Sequence, residues 1–323
     1  MSKAGRNDIC GVILAAGMGS RIHPLSLSIP KTMIPICNKP IMEYQIEDMI
    51  RLGIREIYIV VGHLKQHIMS YFGDGSKWGV RITYVEQKQM LGIAHAIGQL
   101  EKYITKPMMI FLGDIFIIPQ HLEQMKQIFD KQKAAAVLAV KKEPVPEYIK
   151  RNFAVILSGK DKVKRVIEKP RYLTNNLKGC GIYLFDLAIF DAIRRTPRTA
   201  MRDEYEITNA IQILIEDGAP VRIANVVKWD MNVTVPYDLI RCNNMWLKLK
   251  NKKFVVGDNC RLHKGVTLRN SVIGHNVTIT HPVTVTDSVI LAGSVVTGRS
   301  DIDSKIIAGK TVIPCESFKS AEE

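Results

Sequence analysis

The chain has 323 residues, 46% of them hydrophobic, which suffices for one large domain and a smaller one. No apolar run approaches the roughly 20 residues that a membrane span needs, and six scattered cysteines without a CxxC pair suggest neither a zinc site nor a disulfide framework. The net charge of +14 suits anionic partners; it is not gathered into a basic run interleaved with aromatics, so phosphorylated small molecules are the expected partners and nucleic acid is not.

In chain order, the polar lead MSKAGRND runs straight into ICGVILAA. That apolar run is short and ends in glycine, so it reads as a buried strand, not a signal peptide, and a reducing cytoplasm is the expected compartment. Strands are expected over 9–16, 56–61, 82–85, 107–112 and 134–140, because these runs are rich in Val and Ile and bounded by turn residues. Helical spacing marks 40–52, 92–100 and 119–131 between them. Such alternation implies an α/β fold: a Rossmann-like, mixed but mostly parallel sheet with helices on both faces. Ligands bind such sheets at the carboxyl ends of strands, which directs attention to the loops 17–31, 87–92 and 113–115.

After residue 250 the pattern changes. LRNSVIGHNVTIT, VTDSVILAGSVVT and IDSKIIAGKTVIP are variants of one unit, with Ser271, Ser288 and Ser304 at matching places. Aliphatics recur in steps of five or six at Leu262, Leu268, Ile273, Ile279, Val285, Ile290, Ile302, Ile307 and Ile313. This is a hexapeptide-type repeat, expected to form a short left-handed parallel β-helix whose aliphatics stack in a central column. The expected division is therefore 1–250 for the α/β domain, with a connecting helix over 239–253, and 251–323 for the β-helix. So few coils bury little on their own, so they are expected to pack on the α/β domain or on another subunit, and a homo-oligomer is expected.

The loop after the first strand carries the chemistry. Gly17 and Gly19 follow the strand directly, and glycine lets backbone N–H groups approach an anion closely. The dinucleotide fingerprint fails because Ile22 stands where its third glycine belongs, and a Walker A reading of Gly309-Lys310-Thr311 fails at Ser304. A tight turn is the plain alternative for the glycines. Arg21 and Lys31 on the same loop favour a polyphosphate cradle, since one offers a planar fork of donors and the other a mobile point charge.

The combination Gly17-x-Gly19-Ser20-Arg21 followed nine residues later by Lys31 resembles the signature of the sugar-1-phosphate nucleotidyltransferases. The resemblance continues through LSLSIPKTMIPICNKPIMEYQIEDM, then QKQMLGIAHA from Gln87, FLGD ending at Asp114, EKP at Glu168, GIYLFD from Gly181 and EYEITNAIQILIE from Glu204. With the repeats it covers nearly the whole chain, and it is most like the long-form glucose-1-phosphate thymidylyltransferases. It implies Mg²⁺-dependent transfer of a nucleotidyl group, most readily from dTTP or UTP, to a sugar 1-phosphate such as glucose 1-phosphate, with pyrophosphate released. Uridylyl transfer to N-acetylglucosamine 1-phosphate and guanylyl transfer to mannose 1-phosphate remain open alternatives.

The resemblance also implies roles. Leu14, Ala15, Ala16, Gly17, Gly19, Ser20 and Arg21 would hold the nucleotide, with Gln87 and Gly92 at its base. Arg21, Lys31, Asp114 and Lys169 would act on the reacting phosphates, Asp114 as a Mg²⁺ ligand; its plain alternative is a helix N-cap. Ala154, Glu168, Lys169 and Gly181 would line the sugar. Two departures stand out. The family's second metal-binding Asp falls on Asn232, unless a two-residue shift brings in Asp230, which a strand would place on the same face. Ala154 replaces a glycine beside the sugar. These departures leave open a catalytically degenerate binding or regulatory subunit; acetyl transfer in the short repeat tail is a weaker alternative.

Overall fold

The computed structural model describes residues 8–200 and 203–315; residues 1–7 of the polar lead lie outside it. Contacts divide the chain into two compact units, Met1–Gly17 with Gln45–Asp230, and Met18–Tyr44 with Met231–Glu323.

In the first unit the strands are β1 (Cys10–Ala15), β2 (Glu56–Val61), β3 (Arg81–Glu86), β4 (Met108–Leu112), β5 (Ile115–Pro119), β6 (Ala136–Lys142), β7 (Phe153–Leu157), β8 (Val163–Glu168), β9 (Leu177–Phe185), β10 (Val221–Asn225) and β11 (Val227–Asn232), the last ending in the second unit. The main sheet runs β8-β7-β9-β4-β1-β2-β3, with β6 beside β9 and β10 beside β6, while β5 and β11 pair separately. Helices α1 (Ile41–Arg51), α2 (Lys65–Phe72), α3 (Ile93–Gly98) and α4 (Glu123–Lys131) are followed by α5 (Ala188–Arg195) and α6 (Ile207–Glu216).

The sheet is mixed for a topological reason. β1, β2, β3 and β4 are joined by helical crossovers, and β1 pairs parallel with both β2 and β4, as β2 does with β3. Beyond β4 the order changes, and β9 pairs antiparallel with β4, β6 and β7. Val12 and Ile13, adjacent on β1, are both 0% exposed, so both faces of the sheet are covered, as the unbroken apolar run anticipates. One core cluster joins Val12, Val60, Ile110 and Leu138 to Tyr183, which stacks between Phe153 and Phe185 at 6.1 and 5.5 Å. The helix expected from residue 119 begins at Glu123 instead, because Ile115–Pro119 is recruited as a strand by β11.

The second unit joins the segment Met18–Tyr44 to α7 (Pro236–Leu249) and to the repeats. Asp238 starts α7 by accepting from the backbone N–H groups of Thr234 and Val235 at 2.8 and 2.9 Å. Buried Asn243 on the same helix accepts from Cys37 N at 2.7 Å, and Asn38 donates to the Ile273 carbonyl at 2.8 Å. The repeats form three parallel ladders, with Val272 beside Val289, Thr278 beside Val295, and Thr267 beside Thr284.

Their register corrects one expectation. Ser304 is not the equivalent of Ser271 and Ser288: Asn270, Asp287 and Ser304 occupy one corner, all at positive φ, and Lys305 continues the serine ladder by donating to Ser288 Oγ at 3.0 Å. The column holds Ile273, Ile279, Val285, Ile290, Ile302 and Ile307, with Leu262 and Leu268 at its edge. Ile313 leaves the column, because the chain reverses after Gly309 and pairs it antiparallel with Ile306.

Candidate active site

In the first unit Leu14, Ala15, Gln87, Asp114 and Glu168 lie at or just after the carboxyl ends of strands, whereas Ala154 and Gly181 lie within strands; Gly19, Lys31 and Asn232 belong to the second unit. In the first unit β1 ends at Ala15. Leu14 is half-buried, Ala15 and Ala16 are buried, and Gly17 is exposed. The carbonyls of Leu14 and Ala16 accept from Gly113 N at 2.9 Å and His63 N at 3.3 Å, which ties the strand end to its neighbouring loops. The chain then leaves with an unusual surplus of donors. Among the described residues, the backbone N–H groups of Gly17, Met18, Gly19, Ser20 and Arg21 donate no hydrogen bond.

Asp114 stands half-exposed in the turn between β4 and β5. A strand, not a helix, follows it, so it caps no helix. Gly181 on β9 has φ +69°, and a Cβ there would lie 2.5 Å from Ile115 Cδ1. The glycine is thus required by close packing beneath the β4–β5 turn. Ala154 is buried opposite Ile167 of β8 and Lys178 of β9. Glu168 ends β8, where its carboxylate accepts from Thr208 Oγ1 at 3.4 Å. Lys169 is exposed at φ +41° and is fixed by its N–H on the Asn152 carbonyl at 2.7 Å. A lysine in that left-handed region stores about 1 kcal/mol or more of strain, a feature that clusters at functional positions.

Gln87 follows β3 and is 4% exposed. Its amide nitrogen lies 2.9 Å from His95 Nδ1 and 3.4 Å from the Gly92 carbonyl. Gly92 has φ +99°, and any Cβ there would meet the Tyr205 backbone at 2.7 Å. The reason is local pairing: Tyr205 N donates to the Leu91 carbonyl at 2.7 Å, and Ala94 N donates to the Tyr205 carbonyl at 3.0 Å.

Asp230 is committed elsewhere. Both its oxygens accept from Lys178 Nζ at 2.8 Å, and Lys141 Nζ lies 3.1 Å away. Glu143 completes the group, 2.8 Å from Lys141. All four side chains are nearly or wholly buried. Burial pushes the Lys141 ammonium toward deprotonation, but Asp230 and Glu143 outweigh it and raise its pKa. Sequence reasoning missed this quartet, although a lysine inside the apolar strand LKGCGIYLF was a visible anomaly.

In the second unit, Gly19 has φ +64° and a Cβ there would lie 3.1 Å from Lys31 Cβ. Ser26 Oγ donates to the Gly19 carbonyl at 2.8 Å and fixes the turn. Ser20 and Arg21 are exposed at its tip. Lys31 is 8% exposed, and its ammonium donates to Asn232 Oδ1 at 2.9 Å. The structure thus joins Gly19 and Lys31 of one loop to Asn232, which lies 201 residues beyond Lys31.

Two wider features bear on chemistry. Among the described residues, no three or more His, Cys, Asp or Glu side chains converge as a metal centre, and no helix is long and apolar enough to cross a membrane. All six cysteines are free thiols, and burial pushes Cys10 and Cys37 up to about 12, so neither is a nucleophile.

A family model described as nucleotidyl transferase matches residues 10–231. The chain is 34% identical over 266 residues to the low-salt glycan biosynthesis nucleotidyltransferase Agl11 of Haloferax volcanii, covering 81% of this chain and 73% of that one. It is 32% identical over 227 residues to the UTP–glucose-1-phosphate uridylyltransferase AglF of the same organism, covering 70% of this chain and 92% of that one. Among solved structures, a putative glucose-1-phosphate thymidylyltransferase from Bacillus anthracis, in complex with a sucrose, superposes with a TM-score of 0.66 at 25% identity, over 73% of this chain and 94% of that one.

Proposed function

Since the chain belongs to the nucleotidyltransferase family, we propose that it transfers a nucleotidyl group from dTTP or UTP to glucose 1-phosphate, releasing pyrophosphate and making a nucleotide-sugar. The observation that carries this reading is the run of unpartnered N–H groups from Gly17 to Arg21, directly after a central strand. Such a run is an anion cradle, and the exposed guanidinium of Arg21 adds a fork suited to phosphate. The names of the relatives, one acting with UTP on glucose 1-phosphate and one a putative thymidylyltransferase, support the substrate pair.

In this reading a phosphate oxygen of the sugar phosphate attacks the α-phosphorus and the P–O bond to pyrophosphate breaks. Positioning and charge neutralisation supply most of the acceleration. Backbone from Leu14 to Ser20 holds the triphosphate. Lys31, kept in place by Gly19 and Asn232, meets the negative charge that grows on the reacting phosphates. Lys169 holds the sugar phosphate, Glu168 accepts from sugar hydroxyls, and Ala154 and Gly181 shape the sugar's bed. Gln87 and Gly92 receive the base.

The donor set fits Mg²⁺. The ion takes few protein ligands and fills its octahedron with water and phosphate oxygens, and the half-exposed carboxylate of Asp114 outside any carboxylate cluster suits that habit. The amide oxygen of Asn232 is the second proposed ligand: it accepts one bond, from Lys31, and keeps a second lone pair, whereas both oxygens of Asp230 are engaged inside a buried pair of lysines. When bound, the ion would polarise the phosphoryl oxygens and offset the charge of the leaving pyrophosphate. We further propose a functional division at residue 250, a cytoplasmic site of action where nucleoside triphosphates are made, and self-association through the repeats.

The test is pyrophosphate release with Mg²⁺ over a grid of the five common nucleoside triphosphates against several sugar 1-phosphates. Strong turnover with dTTP or UTP and glucose 1-phosphate is the expected result. A sharp signal with N-acetylglucosamine 1-phosphate, or with GTP and mannose 1-phosphate, would correct the substrates. A blank grid would overturn the proposal.

A further inference from the structure

An amide side chain can read a base edge with its oxygen or its nitrogen, and the two ends select opposite bases. At Gln87 the surroundings choose between them. Its nitrogen is held by His95 Nδ1 and the Gly92 carbonyl, while its carbonyl oxygen has no hydrogen-bond partner among the described residues. The other ring nitrogen of His95 lies 3.2 Å from the side-chain amide of Gln99. A neutral imidazole has one donor and one acceptor nitrogen, so only one of these amides can donate to it.

The geometry favours Gln87 as the donor. Its contact is the shorter, and it is buried, whereas Gln99 is half-exposed, so water can replace the bonds its amide makes to the His95 ring and, at 3.4 Å, to the His95 carbonyl. Reversing Gln87 would also set its oxygen against the carbonyl of Gly92, two acceptors facing each other. The imidazole is itself held: it stacks on Tyr205 at 6.2 Å, and Tyr205 is bonded through its backbone to Leu91 and Ala94. Burial lowers the His95 pKa from its ordinary value, which keeps the ring neutral and Nδ1 able to accept.

We propose that His95 is a positioning residue that fixes the side-chain amide of Gln87 with its carbonyl oxygen toward the nucleotide, so that the enzyme takes nucleotides whose base offers a ring N–H. The imide of uracil or thymine and the lactam of guanine present such a donor. Cytosine and adenine place a lone pair there, and two acceptors would oppose each other. This inference rests on the reading of Gln87 as the base reader.

Steady-state kinetics of the full chain with UTP, dTTP, GTP, CTP and ATP, at saturating sugar 1-phosphate, test it through three variants. In His95→Phe the stacked ring is kept and the acceptor lost. KM for UTP and dTTP should rise about three- to tenfold, as for one neutral hydrogen bond, with kcat within about twofold, and the preference for UTP over CTP should narrow by a similar factor. In His95→Asn, Oδ1 stands near the place of Nδ1 and should restore both KM and preference. Gln87→Ala should raise KM for every accepted nucleotide. If Gln87→Ala does so while His95→Phe leaves the UTP-to-CTP preference unchanged, the positioning role is overturned and the base-reader assignment survives. If Gln87→Ala changes no KM, the base-reader assignment fails and the inference with it. A wild-type enzyme that prefers CTP to UTP would mean that the amide faces the other way; that result stands even if a variant folds poorly.

Discussion

Asp114 and Asp230 are both aspartates at strand ends of one unit, and their surroundings are opposite. Asp114 is half-exposed in a turn. Asp230 is closed in, with both oxygens on Lys178 and a second lysine at 3.1 Å. The contrast separates two uses of the same carboxylate. One already meets two ammonium groups, so a cation could reach it only by displacing them, at the cost of leaving buried lysines unpaired. The other is half-exposed in its turn, and is the carboxylate proposed above to take an ion that arrives with the substrate. Position on a strand end therefore does not by itself make an acidic residue a ligand; the ions already beside it decide.

The largest effect is expected at Asp114. Asp114→Asn should lower kcat on the order of 10³-fold or more, because the ion's anchor is lost, while the melting midpoint changes little. Near-normal turnover at millimolar Mg²⁺ would remove Asp114 from the metal site.

The reverse pattern is expected at Asp230. Asp230→Asn leaves two buried lysines with Glu143 alone, a loss of about 3–5 kcal/mol by analogy with other broken buried pairs. Denaturant unfolding should show it, while kcat per folded enzyme stays within about twofold. Unchanged stability with collapsed turnover would give Asp230 the role assigned to Asn232.

Gly92→Ala comes next. The added methyl would press on the Tyr205 backbone at 2.7 Å and must adopt φ near +99°, which strains any L-residue. Tyr205 and the segment to Gln87 must shift, so KM for the nucleotide should rise about tenfold, with a smaller fall in kcat. An unchanged KM would detach Gly92 from the base site.

How far the sequence carries the reader differs between regions, and the cause is the range of the interactions. The parallel strands are local apolar runs, and the strand expected over 56–61 is β2 to the residue. The repeats were legible as a period, but their phase was not: serine identity suggested Ser304, whereas left-handed corners at Asn270, Asp287 and Ser304 set the true spacing. Gly17, Gly19, Arg21 and Lys31 form a motif because one loop holds them. The quartet of Lys141, Glu143, Lys178 and Asp230 draws on three strands, and His95 faces Gln87 across a turn. Such pairings exist only once the sheet order is known, and that order was not written in any single window of sequence.

The smallest effect is expected at Asn232, where two consequences oppose each other. Asn232→Asp supplies a formal charge to the proposed metal site, which should tighten the apparent Mg²⁺ requirement severalfold. The same carboxylate would sit where Lys31 Nζ now lies 2.9 Å from Oδ1, and an ion pair there would draw the ammonium from the phosphates it is proposed to meet. The gain in metal binding and the loss at Lys31 should nearly cancel in kcat, leaving it within about threefold of wild type. Titration of Mg²⁺ at saturating substrates distinguishes the two. A tighter Mg²⁺ midpoint with little change in kcat supports ligation by residue 232. An unchanged midpoint with reduced kcat would leave Asn232 only the task of holding Lys31.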